Sequence, residues 1–259
     1  MAAHAGSRLQ GKAAVVTGST AGMGEGIARR LAEEGAVVVV SGRRTDEGER
    51  VVRTISAAGG CAMFVKTDVT SEADCVALID ATVTRYGRLD ILVNNAGITP
   101  AAPLELQTAE QWDEVFAVNV RGAFVCCREA VPHMRRQGGG RIINIGSTTP
   151  YRAALDRVAY ACSKGALLTM TKVLARGLVA DRILVNSILV GWVPTPAEVA
   201  LRNRLEGDGQ AFLDEKARQA PLGRLETVED IAAGVAFLAS DEASHVTGCE
   251  LNVSGGLWV

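Results

Sequence analysis

The chain has 259 residues, 48% hydrophobic and 22% charged, with a formal net charge of -2, which suits one large domain and offers no electrostatic footprint for nucleic acid or an anionic membrane. Six cysteines (Cys61, Cys75, Cys126, Cys127, Cys162, Cys249) and three histidines (His4, His133, His245) lack ligand spacing, so no metal site and no disulfide framework is expected. No apolar run reaches about 18 residues and no secretory leader is evident, which makes a cytoplasmic protein the expectation. The first eight or so residues read as a frayed leader. Ala13 to Val16 is a short apolar strand, followed by the glycine-rich turn Thr17 to Gly24 and a helix with Ile27, Ala28, Leu31 and Ala32 on one face, ending at Gly35. Val37 to Val40 is a β-branched run expected of a strand covered on both faces. A polar helix from about Thr45 to Ala58 leads to a strand at Ala62 to Val65, and Ser71 with Asp74 opens the next helix as a capping box. Strands follow at Ile91 to Val93 and Arg141 to Ile145, separated by a helix capped by Thr108 and Gln111 and a long one from Val118 to Met134. Tyr160 to Leu178 is a helix, Ile183 to Ile188 a strand, Thr227 with Asp230 opens a late helix, and Leu251 to Val253 is a last strand. Such alternation predicts an α/β fold: a doubly wound parallel sheet with helices on both faces, binding ligands at the carboxyl ends of its strands.

The loops after strands are therefore the places to look for chemistry. Gly18, Gly22 and Gly24 stand between the first strand and helix, where missing side chains let a backbone approach a pyrophosphate and helix amides face its charge. After the second strand come Ser41, Gly42, Arg43 and Arg44, with no carboxylate to engage an adenosine ribose and two guanidinium groups able to clamp a 2'-phosphate. A nucleotide carrying a 2'-phosphate is therefore expected over one with a free ribose. Tyr160 and Lys164 are four residues apart, on one face of a helix. A free phenol has a pKa of roughly 10, and a cation at close range can lower it toward the neutral range that proton transfer requires.

The segments Thr17-Gly18-x-x-x-Gly22-x-Gly24, Asn94-Asn95-Ala96-Gly97, Asn119, Ser147 and Tyr160-x-x-x-Lys164 stand in the order and spacing of the short-chain dehydrogenase/reductase family. The chain resembles that family from about Gly11 to Val259. The resemblance implies a single Rossmann-type domain with about seven parallel strands, a homotetramer and a nicotinamide cofactor, for which Arg43 and Arg44 make NADP(H) the expectation and NAD(H) the alternative. It also implies a small-molecule carbonyl or alcohol substrate. Tyr160 would be the general acid or base, Lys164 would lower its pKa and hold the nicotinamide ribose, and Ser147 would polarise the substrate oxygen. Asn119 would orient a relay water. The cofactor would be held by Gly18, Thr20, Gly22, Met23, Gly24, Arg43, Arg44, Asp68, Val69, Asn95, Ala96, Gly97, Val193 and Thr195, together with Tyr160 and Lys164. Asp68 would accept from the adenine amino group, Asn94 and Gly97 would bracket the adenine ribose, and Thr195 would hold the carboxamide.

Some positions depart from the family's pattern. Val190 stands where proline is usual, which bears on the local loop conformation; Gly177 and Arg182 stand where glutamate and glycine are usual, with effects on helix stability or subunit packing, not on chemistry, expected from those two. The stretch 197–219, with Val199, Leu201, Leu205, Phe212 and Leu213 among charges, is expected to be a helical lid. Pro221-Leu222-Gly223-Arg224 and the tail from Val246 resemble the beta-ketoacyl carrier-protein reductases and equally the sugar and secondary-alcohol dehydrogenases of the family. Carbonyl reduction or alcohol oxidation is the expected reaction. Outside it stand a non-catalytic dinucleotide sensor and a dehydratase, epimerase or isomerase.

Overall fold

The computed structural model of the chain describes residues 8–152 and 155–256. Seven strands, β1 (Ala13–Val16), β2 (Val37–Gly42), β3 (Cys61–Lys66), β4 (Ile91–Asn94), β5 (Gly140–Ile145), β6 (Ile183–Val190) and β7 (Glu250–Val253), make one sheet. All pairings are parallel, in the order β3-β2-β1-β4-β5-β6-β7. The helices are α1 (Gly22–Glu33), α2 (Thr45–Ala57), α3 (Glu72–Tyr86), α4 (Ala109–Phe116), α5 (Gly122–Arg136), α6 (Val158–Leu178), α7 (Pro196–Glu206), α8 (Gly209–Gln219) and α9 (Val228–Ala239).

The two faces of the sheet follow from the period of two along its strands. Ala14, Val16, Val38, Val40, Ile91 and Val93 pack with Ile27 and Leu31 of α1, Val51 and Ile55 of α2, and Ile231 and Val235 of α9. The intervening Val15, Val39 and Leu92 pack with Leu78 of α3, Val125 and Met134 of α5, and Leu178 of α6. Each such buried Ile, Leu or Val contributes about 1.5–3 kcal/mol. β1 and β6 are buried throughout, whereas β3, at the sheet edge, is not. The strand order reverses between β1 and β4, which opens a crevice at their carboxyl ends.

Local expectations are met with differences. The Thr108–Gln111 and Thr227–Asp230 capping boxes close. At Ser71 the box stays half-made: the hydroxyl accepts from the Asp74 N–H, but the Asp74 carboxylate takes the Asp68 N–H at 2.9 Å instead of reaching back to the cap backbone. The helix expected from Val118 is entered through a π turn, Ala117–Arg121, which joins α4 to α5. Arg182 adopts φ 59, the left-handed conformation that explains why glycine suits this position. Of the expected leader, residues 1–7 lie outside the described residues, while Arg8 is paired with Glu34 at 2.5 Å and Glu242 at 3.0 Å. Among the described residues no helix is long and apolar enough to cross a membrane.

Candidate active site

The crevice holds a cavity of about 590 Å³ between the loops that follow β1, β2, β3 and β4 and the start of α7. Its floor is the glycine-rich turn. Gly18 (φ +63) and Gly22 (φ +57) need the left-handed region, and Gly24 needs its hydrogen side chain, since a Cβ there would lie 2.5 Å from Asn95 Nδ2. Across the crevice, Thr17 Oγ1 accepts from the N–H groups of Asn95 (3.0 Å) and Ala96 (3.1 Å), and Asn95 Nδ2 donates to the carbonyls of Thr17 (2.9 Å) and Gly18 (3.1 Å). These four bonds fix the spacing of the two loops.

The cradle fits a dinucleotide. The cap residue of α1 is Ala21, with no side chain bonded to the first turn, so the amides there remain open for a pyrophosphate. At the end of β2, a Cβ on Gly42 would lie 2.7 Å from Thr20 Cγ2, so no carboxylate fits at this point unless Thr20 moves. Arg43 and Arg44 are exposed on the cavity wall, with Arg44 Nη2 3.4 Å from Thr20 Oγ1. Asp68 lines the same cavity beyond β3. Its Oδ1 accepts from the Thr70 N–H (2.9 Å) and hydroxyl (2.8 Å), and these bonds, aided by Arg43, hold its carboxyl below the ordinary value.

Beyond the cavity lies a polar cluster on α6. Lys164 is buried and donates to the Ile145 carbonyl at 2.7 Å; burial pushes its ammonium down to about 8. Its Nζ lies 5.7 Å from the centroid of the Tyr160 ring. A Cβ on Gly97 would sit 3.3 Å from Asn119 Oδ1 and 3.6 Å from Lys164 Nζ, which places this cluster against the rim of the cavity. Burial raises the Tyr160 phenol, and the neighbouring Ser147 hydroxyl works against that rise. The lowered phenol expected of Tyr160 is therefore not a property of the protein by itself. Ser147, at the end of β5, is buried, with its Oγ 2.9 Å from Thr149 Oγ1.

Other expected residues take more specific places. Asn119 lies in the π turn and is saturated: Oδ1 accepts from the Ile98 N–H at 2.8 Å, and Nδ2 donates to the Ile98 carbonyl and to Ser163 Oγ, both at 3.0 Å. Asn94 is buried under the sheet and donates to Asn144 Oδ1 at 2.9 Å, away from the cavity lining. Val193 packs into the core beside α9 instead of the cavity. Thr195 caps α7, accepting from the Glu198 N–H, and its methyl faces Gly22. Met23, Val69 and Ala96 line the cavity, as do Thr67, Ile98 and Val118, which sequence reasoning passed over. Their signal was position alone, since each neighbours a residue already singled out. Val190, in place of proline, keeps an N–H in β6, and its carbonyl accepts from the Thr148 N–H at 3.0 Å. Gly177 is exposed, and a methyl group added there would meet nothing within 4 Å.

The doubly wound sheet thus carries a dinucleotide-sized cradle at its switch point and a Tyr–Lys–Ser group beside it. A family model described as enoyl-(acyl carrier protein) reductase matches residues 18–258. The chain is 41% identical over 257 residues to 3beta-hydroxysteroid dehydrogenase 1 of Eggerthella lenta, covering 96% of this chain and 94% of that one. It is 42% identical over 254 residues to L-fucose dehydrogenase of Oryctolagus cuniculus, covering 97% and 86%. Among solved structures, a gluconate 5-dehydrogenase from Burkholderia cenocepacia in complex with NADP and tartrate superposes with a TM-score of 0.88, at 35% identity and 96% coverage of both chains. The chain belongs to the short-chain dehydrogenase/reductase family and is an oxidoreductase that interconverts a carbonyl and an alcohol with a nicotinamide dinucleotide.

Proposed function

We propose that Tyr160 is the proton donor in carbonyl reduction and the acceptor in the reverse oxidation of a secondary alcohol. The observation that carries this reading is the Tyr160 phenol near Ser147, with Lys164 one helical turn away and buried at the rim of the dinucleotide cavity. Reduction adds a hydride to the carbonyl carbon and a proton to its oxygen, and the bound dinucleotide supplies the hydride. Tyr160 gives its hydroxyl proton to that oxygen while Ser147 donates a hydrogen bond and polarises the C=O. Lys164, still mostly an ammonium at neutral pH, stabilises the phenolate left behind and holds the nicotinamide ribose. Asn119 braces the Gly97–Ile98 backbone against α6 and keeps the relay path beside Lys164 in register. Enoyl reduction, the activity in the family model's description, also builds negative charge on a carbonyl oxygen, that of the conjugated thioester; it is the relatives named as hydroxysteroid and fucose dehydrogenases that favour the carbonyl–alcohol reading.

The remaining residues divide the cofactor among them. Gly18, Thr20, Gly22, Met23 and Gly24 take the pyrophosphate side, Asp68 and Val69 the adenine, and Asn95, Ala96 and Gly97 the wall between the two halves. Val193 supports Thr195, which takes the carboxamide. Arg43 and Arg44 bind the 2'-phosphate, so NADP(H) is preferred; the lack of room for an acid at Gly42 supports this. The substrate is a small carbonyl or secondary alcohol covered by α7 and α8 over 197–219, within a single domain. Relatives named for a hydroxysteroid, fucose and gluconate support that breadth. Exposed Phe124 and Val173 on α5 and α6 supply apolar surface for a homotetramer in the cytoplasm.

A panel of ketones, beta-ketoacyl thioesters, sugars and secondary alcohols, assayed by NAD(P)H absorbance, tests the reading. Turnover of at least one carbonyl–alcohol pair is expected. Tight cofactor binding with no turnover would make the chain a dinucleotide sensor instead.

A further inference from the structure

α7 and α8 pack on each other, and neither packs extensively on any other helix or strand. Together they form an excursion that leaves the body after Val190, the last residue of β6, and returns at Val228, the first of α9. Where its two ends meet, Trp192 and Leu225 join Leu213 and Ala220 in a small apolar core, separate from the two cores that face the sheet. Phe212 of α8 meets the Trp192 ring edge-on, with 5.7 Å between centroids, and the Arg152 guanidinium lies over that ring, its Cζ 4.5 Å from the centroid. A polar contact closes the same base: the Trp192 N–H donates to Glu226 Oε2 at 2.9 Å, joining the chain before α7 to the chain after α8.

Glu226 is a costly residue to bury here. Of the three buried carboxylates among the described residues, Glu34 is paired with Arg8 and Arg30, and Asp90 with Arg88, whereas Glu226 has no ion pair; Arg224, two residues before it, is taken by Asp230. Burial raises the Glu226 carboxyl, and its own N–H and that of Trp192 offset part of the rise. Its Oε1 is buried without a hydrogen-bond partner and lies against Gly191, where an added Cβ would sit 2.2 Å away. A buried acceptor left unmatched is expensive, so packing alone does not account for this side chain. Its backbone is well held: Thr227, next in the chain, caps α9, whose Ile231 and Val235 lie in the core. The turn that Glu226 grips leads directly to the dinucleotide cavity. The Thr195 N–H donates to the Val193 carbonyl at 2.7 Å, and Thr195 caps α7 and lines the cavity with Pro196 and Ala197.

We propose that Glu226 is a positioning residue that clasps the base of the substrate cover: from the rigid start of α9 it holds the Trp192 N–H, and with it the turn that sets Thr195 and carries α7 and α8 over the substrate. This rests on the reading of α7 and α8 as the cover given above. Glu226 lies outside the lining of the dinucleotide cavity, so it acts on substrate binding and not on the proton or hydride steps.

Amide hydrogen exchange tests the clasp without a substrate. In Glu226→Ala the amides of Trp192, α7 and α8 should exchange about tenfold to a hundredfold faster than in wild type, the span of one hydrogen bond to a charged group, while those of α1 and β1 keep wild-type rates. Glu226→Gln, which keeps an acceptor at the same place, should restore protection. Gly191→Ala, whose methyl would press on Oε1, should loosen the same two helices, and it carries the comparison should Glu226→Ala not fold. Added to Glu226→Ala, it should cost little more, because the atom it meets is gone. In steady-state assays KM for the carbonyl substrate should rise about tenfold or more in Glu226→Ala with kcat within about threefold of wild type, and Glu226→Gln should bring KM back. Unchanged exchange in the alanine variant, loosening spread evenly over the sheet, or no rescue by glutamine would overturn the proposal. Faster exchange at an unchanged KM would overturn it as well, since the helices held would not cover the substrate. Failure of the hydride reading looks different: wild type reduces no carbonyl, and the exchange comparison then decides the clasp by itself.

Discussion

Lys164 donates to the Ile145 carbonyl at 2.7 Å, so a single hydrogen bond ties the buried ammonium of α6 to the end of β5, two residues before Ser147. The strand that delivers Ser147 also fixes the cation, and the helix that carries the cation delivers Tyr160. Neither group can shift without moving the other two.

The burial of Lys164 has a thermodynamic signature. Its folded pKa of about 8 lies below the ordinary 10.5, so between those values the unfolded chain binds a proton that the folded chain has released. Stability contributed by this site therefore rises with pH across that window. Lys164→Met removes the dependence, and its stability relative to wild type should fall as pH goes from 8 to 10.5, by up to on the order of 3 kcal/mol. Urea unfolding of both proteins at several pH values measures it, and a difference constant with pH would mean the ammonium is not buried. The same variant should lose cofactor affinity and turnover together, because one group serves both phenol and ribose.

Arg43→Ala tests the phosphate clamp. Wild type should prefer NADP(H) over NAD(H) in kcat/KM by roughly tenfold to a hundredfold, about 1.4 to 2.8 kcal/mol, reduced by exposure from what a buried clamp would give. The variant should lose with NADP(H) and change little with NAD(H). Equal losses with both cofactors would remove the clamp from the account.

Two glycines should respond in opposite directions to alanine. At Gly24 the added methyl would lie 2.5 Å from Asn95 Nδ2 and 2.8 Å from Ser19 Cα, so Gly24→Ala should cost about 1–3 kcal/mol by overpacking and weaken dinucleotide binding. At Gly177, exposed near the end of α6 with nothing within 4 Å, alanine should stabilise by about 0.5–1 kcal/mol through helix propensity and a less flexible unfolded chain. Thermal or urea unfolding of the two variants separates the cases.

The parallel sheet was legible because its strands are short apolar runs such as Val37 to Val40, which no helix period explains, and because Gly18, Gly22 and Gly24 follow the first of them. The cavity lining was legible for the same reason: position at a strand's carboxyl end implies a place in the crevice, whatever the side chain. What stayed hidden depends on contacts between distant segments. Val118 to Met134 has an unbroken helical pattern, and nothing in it marks the π turn that presents Asn119 to Ile98. Asn94 and Asn95 are adjacent, yet the alternation of a strand turns one toward Asn144 beneath the sheet and leaves the other to lash Thr17 and Gly18. The meeting of Arg152 with Trp192 joins two loops forty residues apart and leaves no trace in spacing.

The central claim is that Tyr160 moves the proton, and Tyr160→Phe tests it most directly because the ring stays and only the hydroxyl goes. Steady-state kcat on the best substrate should drop by about 10² or more, the usual worth of general acid catalysis, while the dissociation constant for NADPH stays within about threefold of wild type. A variant that keeps more than about a tenth of wild-type turnover, with cofactor binding intact, would contradict the account.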